Sequence, residues 1–413
     1  MATEHPDVLI VGGGAVALCT AYYLQQEGIR TLIVERRGVG TGCSYGNGGL
    51  IFSGQLLPLM TPERLAGGLF RWLRRGSPFY VRPSPRRLRW LWQAREAARP
   101  ERLAAIAALR AALLRQSQQL TRTLIAEADL EVELRQRGLF VVYRETPGQA
   151  FCERLARAAE AQGVPFQPVA QPSDLVDGLQ AAGGLYFEAD FHLHPARFVQ
   201  QLYLRLAERG VRFRPETEVL DWERQGRRIV AVRTGEGRLA AGAFVLAAGA
   251  WSGLLARKLG LRLPVEPVKG YSLSSPRPPN APEIPLLLAD AGVTITPLAE
   301  DVRVAGGLEL VGFDLEAQRV RAALLYDTAR AWLPEMPLLP LQHIAWWRGL
   351  RPCMPDELPA LGRPRAFENL VIATGGGLAG LSLAAVMGYR TARLILGEKP
   401  DPELEALRPD RFH

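Results

Sequence analysis

The chain has 413 residues, of which 48% are hydrophobic and 22% are charged, values typical of a globular protein with room for two domains. They exclude a disordered or fibrous chain. The formal net charge is +8, but all but three of the 50 basic residues are arginine, a bias that by itself gives no evidence of nucleic-acid binding.

The four cysteines are scattered along the chain without C-x-x-C spacing, which argues against a zinc site and against a disulfide framework. We therefore predict no metal. A first strand begins almost at once, without a charged and then apolar leader, so a reducing cytoplasm is the expected location. Two long uncharged stretches are interpreted as buried strand, glycine turn and helix rather than as membrane spans: Leu239–Ala256 and Leu370–Tyr389.

The first 35 residues carry the clearest pattern in the chain. An apolar strand, Val8–Val11, leads into three glycines, then a helical pattern over Ala15–Glu27, and then a second apolar strand, Thr31–Val34, which ends at Glu35. This order of strand, glycine turn, helix, strand and acid is the βαβ unit that binds dinucleotides.

Each residue type in this unit has a physical role. Gly12 makes the tight turn, and Gly14 lets the backbone approach a pyrophosphate. The helix that begins at Ala15 and Val16 offers unpaired N–H groups to that anion, and Glu35 accepts hydrogen bonds from ribose hydroxyls.

A glycine-rich loop follows Glu35 and is too poor in apolar residues to form a core. It suits backbone wrapped closely around a ligand, and the alternative is a mobile surface loop. The residues that we predict to contact the dinucleotide here are Arg36, Arg37, Thr41, Ser44, Asn47, Gly48 and Gly49.

Residues 64–99 combine ten arginines with tryptophan, phenylalanine and leucine, and contain one acid, Glu96. This composition is typical of a helix in a membrane interface, and equally of a solvated face or lid over a core. Nucleic-acid binding is disfavoured because no nucleic-acid-binding module accompanies the stretch.

The remaining segments alternate helices and short strands. We predict helices over 101–128, Phe151–Gln162, His194–Glu208, Arg319–Trp332 and Leu378–Leu396. We predict strands over Gly138–Tyr143, Gly184–Phe191, Val211–Phe213, Thr217–Trp222, Arg228–Thr234, Phe244–Ala248, Pro264–Ser274, Val293–Pro297, Val302–Ala305 and Leu370–Thr374, with Gly306-Gly307 ending the second, largely antiparallel sheet. His192 and His194 lie two residues apart, but without a neighbouring carboxylate or cysteine cluster a structural role is favoured over metal binding.

Five separated stretches together resemble the FAD-dependent D-amino-acid oxidase superfamily, and two more are similar to its bacterial D-amino-acid dehydrogenase branch. The five are Val11–Ala17, Gly40-x-Gly42-x-Ser44, Leu246–Ser252, Trp347–Pro352 with Pro359-x-Leu-Gly362, and Thr374–Gly380. The two are Pro267–Leu273 and Gly306-Gly307-Leu-Glu309-x-x-Gly312-Phe313.

The resemblance implies further contacts with the flavin and the substrate. For FAD these are Val219, Ala248, Gly249, Trp251, Gly375, Gly376, Gly377, Leu378 and Gly380. Gly376 stands where many dehydrogenase relatives have histidine. For the substrate the resemblance implies Arg351 as the carboxylate ligand, Tyr271 as a further hydrogen-bond partner and Ile51 as a lining residue. Cys353 is offset from the cysteine that anchors flavin in sarcosine oxidases, so we expect non-covalent FAD.

The predicted fold is α/β: a Rossmann-like FAD-binding domain of discontinuous segments plus an antiparallel-sheet (α+β) substrate domain. We assign residues 1–58, 195–262 and 345–413 to the FAD-binding domain, and residues 59–194 and 263–344 to the substrate domain.

The predicted function is oxidative deamination of D-amino acids, with hydride transfer to flavin and electron transfer to a quinone or another non-oxygen acceptor. Peripheral contact with the inner face of the cell membrane through residues 64–99 would fit that acceptor. The alternatives are an oxygen-using oxidase of glycine, sarcosine or proline type, a non-catalytic flavin-binding subunit, and, more distantly, an NAD-linked dehydrogenase.

Overall fold

The computed structural model describes residues 5–58 and 79–412. Its strands, in chain order, are Val8–Val11 (β1), Thr31–Val34 (β2), Leu50–Ile51 (β3), Phe79–Val81 (β4), Leu139–Tyr143 (β5), Gln167–Val169 (β6), Gly183–Phe187 (β7), Phe191–His192 (β8), Arg212–Arg214 (β9), Val219–Gln225 (β10), Arg228–Thr234 (β11), Gly237–Ala240 (β12), Ala243–Leu246 (β13), Glu266–Pro276 (β14), Leu286–Leu288 (β15), Val293–Pro297 (β16), Asp301–Leu310 (β17), Ala345–Cys353 (β18), Ala360–Gly362 (β19) and Leu370–Thr374 (β20). Its α-helices are Ala15–Gln26 (α1), Pro85–Ala97 (α2), Pro100–Glu127 (α3), Thr146–Ala161 (α4), Pro195–Glu208 (α5), Ser252–Lys258 (α6), Arg319–Trp332 (α7), Ala384–Ile395 (α8) and Pro402–Ala406 (α9).

The first sheet has six strands in the order β19-β20-β13-β1-β2-β9, and all neighbours are parallel except β19 and β20. Side chains of β1 alternate between two cores. Val8 and Ile10 pack in a core with α1, α3, α5 and α8, whereas Leu9 and Val11 pack in a core with α6 and the small sheet β10-β11-β12. Burial on both faces explains why β1 is apolar throughout and why β2 is apolar from Leu32 to Val34.

The second sheet is mostly antiparallel and runs in the order β18-β14-β17-β16-β15-β5-β7-β6, with β4 also paired to β17. One face is covered by α7, whose Leu325 and Trp332 pack with Leu273 and Ile295 of the sheet. The opposite face carries small residues, and it lines a cavity described below. The predicted α/β class with a parallel and an antiparallel sheet is therefore confirmed.

The sequence pattern located many elements well. β1, β2, β16, β20 and α7 have the predicted bounds, and the helix predicted over 101–128 is one long helix, α3, within one residue at each end. The two long apolar stretches fold as strand, turn and helix. No helix in the described ranges is long and apolar enough to cross a membrane.

The predicted helix over Leu378–Leu396 is wrong at its start. Only a single 3₁₀ turn, Gly377–Ala379, follows β20, and α8 begins at Ala384. Gly375 and Gly377 have φ values of +83° and +54°, a left-handed conformation that cannot continue into a regular α-helix. The glycine turn, rather than the N-terminus of a long helix, therefore follows β20.

The predicted break at Gly306-Gly307 is also absent, because β17 continues through both glycines to Leu310. The register against β14 shifts at this point, so a bulge takes up the irregularity and pairing resumes at Glu309. The segment 345–353, assigned above to the FAD-binding domain, forms β18 and pairs with β14 along its whole length. The division into domains stays a prediction.

Candidate active site

A cavity of about 340 Å³ lies where β1, β2, β13 and β20 end at the edge of the parallel sheet. Parallel sheets bind ligands at the carboxyl ends of their strands, because glycine turns there bring backbone close to the ligand. The predicted cofactor residues that line this cavity are Gly12, Gly14, Ala15, Val16, Glu35, Arg36, Arg37, Thr41, Ser44, Asn47, Val219, Ala248, Gly249, Trp251, Gly375, Gly376, Gly377 and Gly380.

Gly12 shows why the first turn needs glycine. Its φ is +111°, and a Cβ built on it would overlap the carbonyl oxygen of Ala247 at the end of β13. The turn can therefore approach the neighbouring strand only without a side chain. The backbone that follows lines the cavity directly, which fits a pyrophosphate against the N-terminus of α1.

The side chains around this turn are held by backbone contacts. Glu35 accepts a hydrogen bond from the N–H of Gly13 at 2.8 Å and another from the N–H of Arg37 at 3.0 Å. Ser44 Oγ accepts from the N–H of Ala15 at 3.1 Å. These bonds fix a carboxylate and a hydroxyl at the cavity wall, and a ribose and a phosphate fit that donor and acceptor set.

An arginine and a tryptophan close one side of the same cavity. The guanidinium carbon of Arg36 lies 3.7 Å from the ring centroid of Trp251, a cation–π contact. Because Arg36 follows the acid at the end of β2 and Trp251 follows β13, the stack connects the ends of the two strands that flank β1.

A second cavity of about 180 Å³ lies against the small-residue face of the antiparallel sheet and shares Cys43 and Asn47 with the first. Arg351 and Arg110 both line it. Arg110 is ion-paired with Glu357, with 3.6 Å between Nη1 and Oε2, whereas Arg351 has no carboxylate partner among the described residues. A charged guanidinium beside the larger cavity is therefore available to an anionic ligand.

Tyr271 also lines the second cavity, but its side chain packs on the face of the sheet that α7 covers. Its hydroxyl donates to Glu309 at 2.8 Å. Burial, together with this hydrogen bond, raises the pKa of Tyr271 above its ordinary value, so the phenol is neutral at physiological pH. Direct contact between Tyr271 and substrate stays a prediction.

Four other predicted site residues lie outside the larger cavity. Gly48 and Leu378 line the smaller cavity instead. Gly49 lines neither cavity. A Cβ on it would overlap the carbonyl oxygen of Leu193, so close packing explains why this position is glycine. Ile51 is fully buried in the main core, while its neighbours on either side, Leu50 and Phe52, line the smaller cavity.

Several residues that line or support the site were missed by the sequence analysis. Trp347 packs against Gly46 and Gly349, where any Cβ would overlap its indole, and it lines the smaller cavity. Arg303 is buried and donates to the carbonyl oxygens of Tyr45 and Asn47, which holds the glycine-rich loop in place. Trp347 begins one of the stretches that carry the resemblance, but its packing on Gly46 and the contacts of Arg303 join distant parts of the chain and have no local sequence signal.

The contacts and burial of two cysteines and two histidines favour structural over reactive roles. Burial raises the pKa of Cys43 and of Cys353 above the ordinary thiol value, which disfavours the reactive thiolate. His192 contacts the carbonyl oxygen of Pro297 at 2.8 Å, and His194 caps α5. Within residues 5–58 and 79–412, His, Cys, Asp and Glu form no group of three that could hold a metal ion.

Asp190 supports the segment that lines the smaller cavity, and its ionisation makes the stability of the fold depend on pH. The carboxylate is fully buried and accepts from the N–H of Ser53 at 2.9 Å and from the Gln118 side chain. Burial raises the pKa of Asp190 to about 6. Since this exceeds the value of about 3.9 in an unfolded chain, the free energy of unfolding falls as pH rises from about 4 to about 6 and is constant above that, whereas below about pH 4 the penalty is absent.

Asp190→Asn should therefore stabilise the protein at pH 8 by about 2 kcal/mol and lose that advantage near pH 4. The amide oxygen can keep both hydrogen bonds without the buried charge. Urea unfolding at a series of pH values measures the difference. A difference that stays constant from pH 4 to pH 8 would contradict the proposed titration.

The sheets and cavities described above are those of an FAD-binding oxidoreductase. A family model described as "FAD dependent oxidoreductase" (DAO) matches residues 7–394, and the chain belongs to this family. The protein is an FAD-dependent amino-acid oxidoreductase. The family predicted from the sequence and FAD as its cofactor are confirmed.

The chain is similar over nearly its whole length to curated proteins named D-amino acid dehydrogenase. The relative from Granulibacter bethesdensis is 30% identical over 417 residues, covering 95% of this chain and 96% of the relative. The relative from Rhizorhabdus wittichii is 32% identical over 428 residues, covering 98% and 100%.

Solved structures share the fold at lower identity. Glycine oxidase from Geobacillus kaustophilus superposes with a TM-score of 0.80 at 21% identity, covering 99% of both chains. L-proline dehydrogenase from P. horikoshii superposes with a TM-score of 0.76 at 18% identity, covering 99% of this chain and 98% of the other. At these identities the similarity supports the fold alone.

Proposed function

We propose that the protein oxidises D-amino acids to 2-oxo acids and ammonia, and that it passes the electrons to a quinone or another acceptor than oxygen. One observation carries the proposal: Arg351, a guanidinium without a carboxylate partner among the described residues, lines a cavity that adjoins the FAD cavity. The names of relatives that are 30% and 32% identical support the D configuration and the dehydrogenase activity.

Arg351 would orient the substrate through its carboxylate. A guanidinium pairs with a carboxylate through two parallel hydrogen bonds, so it fixes direction as well as position. With the carboxylate held in the smaller cavity, the α-carbon would face the shared boundary at Cys43 and Asn47. FAD, when bound, accepts the hydride from that carbon.

The residues around the cavities supply little acid–base chemistry. In the part of the chain that the structure describes, no histidine lines either cavity. Tyr271 is a neutral phenol whose hydroxyl donates its hydrogen bond to Glu309. The substrate amine would therefore have to be neutral before the hydride leaves, and positioning would account for most of the rate. The imino acid would then hydrolyse in water.

The proposal is tested by supplying D- and L-forms of several amino acids with either a quinone analogue or air as acceptor. We expect 2-oxo acid and ammonia from D-forms, with turnover dependent on the quinone analogue. Turnover with L-proline, sarcosine or glycine, with one hydrogen peroxide per product in air, would instead establish the oxidase alternative.

We also propose that the arginine-rich stretch contacts an anionic membrane surface, where a quinone would be available. Residues 64–78 of that stretch lie outside the described residues, but α2 supports the proposal. Leu88 and Trp92, one turn apart on α2, are 53% and 61% exposed. Arg89 and Arg95 are exposed beside them and form no ion pair with any described residue. Exposed apolar and basic side chains on one helix are typical of an interfacial helix.

Replacing both Leu88 and Trp92 with serine should weaken binding to vesicles of anionic lipid by about tenfold or more, since each large apolar side chain contributes about 1.5–3 kcal/mol when buried. Leu204→Ser on α5, which is 51% exposed, is the matched control. Sedimentation with vesicles at low and high salt measures the binding. Equal recovery of the wild-type protein in the supernatant with and without vesicles would exclude the proposal.

A further inference from the structure

The strand pair β14 and β17 contains an irregularity beside the smaller cavity. Tyr271 lies opposite Gly306, and Lys269 lies opposite Glu309. One residue, Gly270, therefore separates the two pairs on β14, whereas two residues, Gly307 and Leu308, separate them on β17. The φ of Gly307 is +76°, so this is a β-bulge with its glycine in the left-handed region.

The bulge supplies the hydrogen-bond acceptors for Arg351. The carbonyl oxygen of Gly307 accepts from Nη1 of Arg351 at 2.8 Å, and that of Gly306 lies 3.5 Å from Nη2. Arg351 belongs to β18, on the other side of β14, where it pairs with Val268. Its side chain crosses β14 over Gly270, where a Cβ would overlap the guanidinium.

Pairing beyond the bulge is held by a buried charge network. Glu309 accepts from Arg321 Nε at 2.8 Å and from the Tyr271 hydroxyl at 2.8 Å, and it lies 3.2 Å from Lys269 Nζ. All four side chains are nearly fully buried. Because a slip in register would separate these charges inside the protein, the network fixes the position of the bulge.

We propose that Gly307 is the positioning residue for Arg351. The left-handed conformation directs the Gly307 carbonyl at Nη1, which holds the guanidinium over Gly270 and leaves its other N–H groups for a substrate carboxylate. A carbonyl, unlike a carboxylate, orients the guanidinium without neutralising its charge. This inference rests on the proposed function of Arg351.

Gly307→Ala tests the inference because the new Cβ has room. The nearest atom would be Tyr271 Cδ2 at 3.4 Å, an ordinary contact, so the change acts on the backbone. We expect KM and the Kd for isobutyrate to rise about tenfold, with kcat within about threefold of wild type and flavin content unchanged, as for loss of an orienting hydrogen bond. Binding of isobutyramide, which lacks the charge, should not change. Gly307→Asn should restore part of the isobutyrate affinity, since asparagine adopts positive φ more readily than alanine.

Gly226→Ala is the matched control. Its φ is +60°, no atom lies within 4 Å of the new Cβ, and it lies in the β10–β11 hairpin. Equal losses of isobutyrate and isobutyramide binding in Gly307→Ala, or wild-type binding of both, would overturn the positioning role.

Arg351→Ala separates the two proposals. If it leaves isobutyrate binding unchanged, the proposed function fails. If it abolishes isobutyrate binding while Gly307→Ala does not weaken that binding, the positioning role alone fails.

Discussion

Replacing Arg351 with alanine should lower kcat/KM for D-amino acids by about a thousandfold. A bidentate pair with a carboxylate comprises two charge-assisted hydrogen bonds, each contributing about 1.5–3 kcal/mol, and about 4 kcal/mol corresponds to a factor of about 10³. Most of the loss should be in KM. Arg351→Lys should recover only part, because an ammonium group cannot form the planar two-bond pair. Steady-state kinetics with a quinone analogue measures the effect.

Arg348→Ala is the control for this change. Arg348 lies on the same strand, but it is exposed, and its Nε donates to the carbonyl oxygen of Leu315 at 2.7 Å. It should keep kcat/KM within about threefold of wild type, as surface changes usually do. Unchanged turnover in Arg351→Ala would rule out binding of the substrate carboxylate by Arg351.

The second large effect is expected at Gly12, where alanine should abolish stable FAD binding. Left-handed backbone costs an L-residue roughly 1–2 kcal/mol, and the new Cβ would also overlap the Ala247 carbonyl oxygen, which belongs to rigid backbone. A total of about 3 kcal/mol corresponds to roughly a hundredfold loss of affinity. The ratio of flavin to protein after purification should fall below about a tenth of the wild-type ratio, and the melting temperature should fall because bound ligand stabilises the fold.

Gly28→Ala is the matched control, because Gly28 also has a positive φ of +72°, no atom lies within 4 Å of its added Cβ, and it lines neither cavity. It should be purified with wild-type flavin content. Full flavin occupancy in Gly12→Ala would show that the turn after β1 does not approach the cofactor as proposed.

The sequence predicted the parts of the fold in which local pattern and tertiary contacts agree. β1, α1 and β2 are continuous, buried on the sheet faces and closed by glycine turns, so apolar runs and glycines locate them. α7 has the predicted bounds for the same reason: its apolar side chains recur at helical spacing against one sheet face.

The errors lie where glycine conformation or long-range pairing decides the structure. Gly306-Gly307 has the composition of a strand end, yet the Glu309 network returns the chain to the sheet after a bulge. Gly375–Gly377 has the composition of a helix start, yet left-handed φ values delay α8 to Ala384. Composition alone does not give φ.

The residues of the site could be predicted only where they belong to a sequence motif. Gly12, Gly14, Ala15, Val16 and Glu35 line one cavity, as the βαβ pattern predicts. The packing of Trp347 on Gly46 and Gly349 joins segments about 300 residues apart, and no spacing in the sequence indicates it.

The most direct test of the proposed reaction is to mix the purified protein anaerobically with single D- and L-amino acids while recording the flavin absorbance. Our account predicts rapid bleaching by D-amino acids and none by their L-forms, since oxidation of the substrate must reduce the flavin even without an acceptor. Bleaching by L-forms alone, or no bleaching by any amino acid, would contradict it.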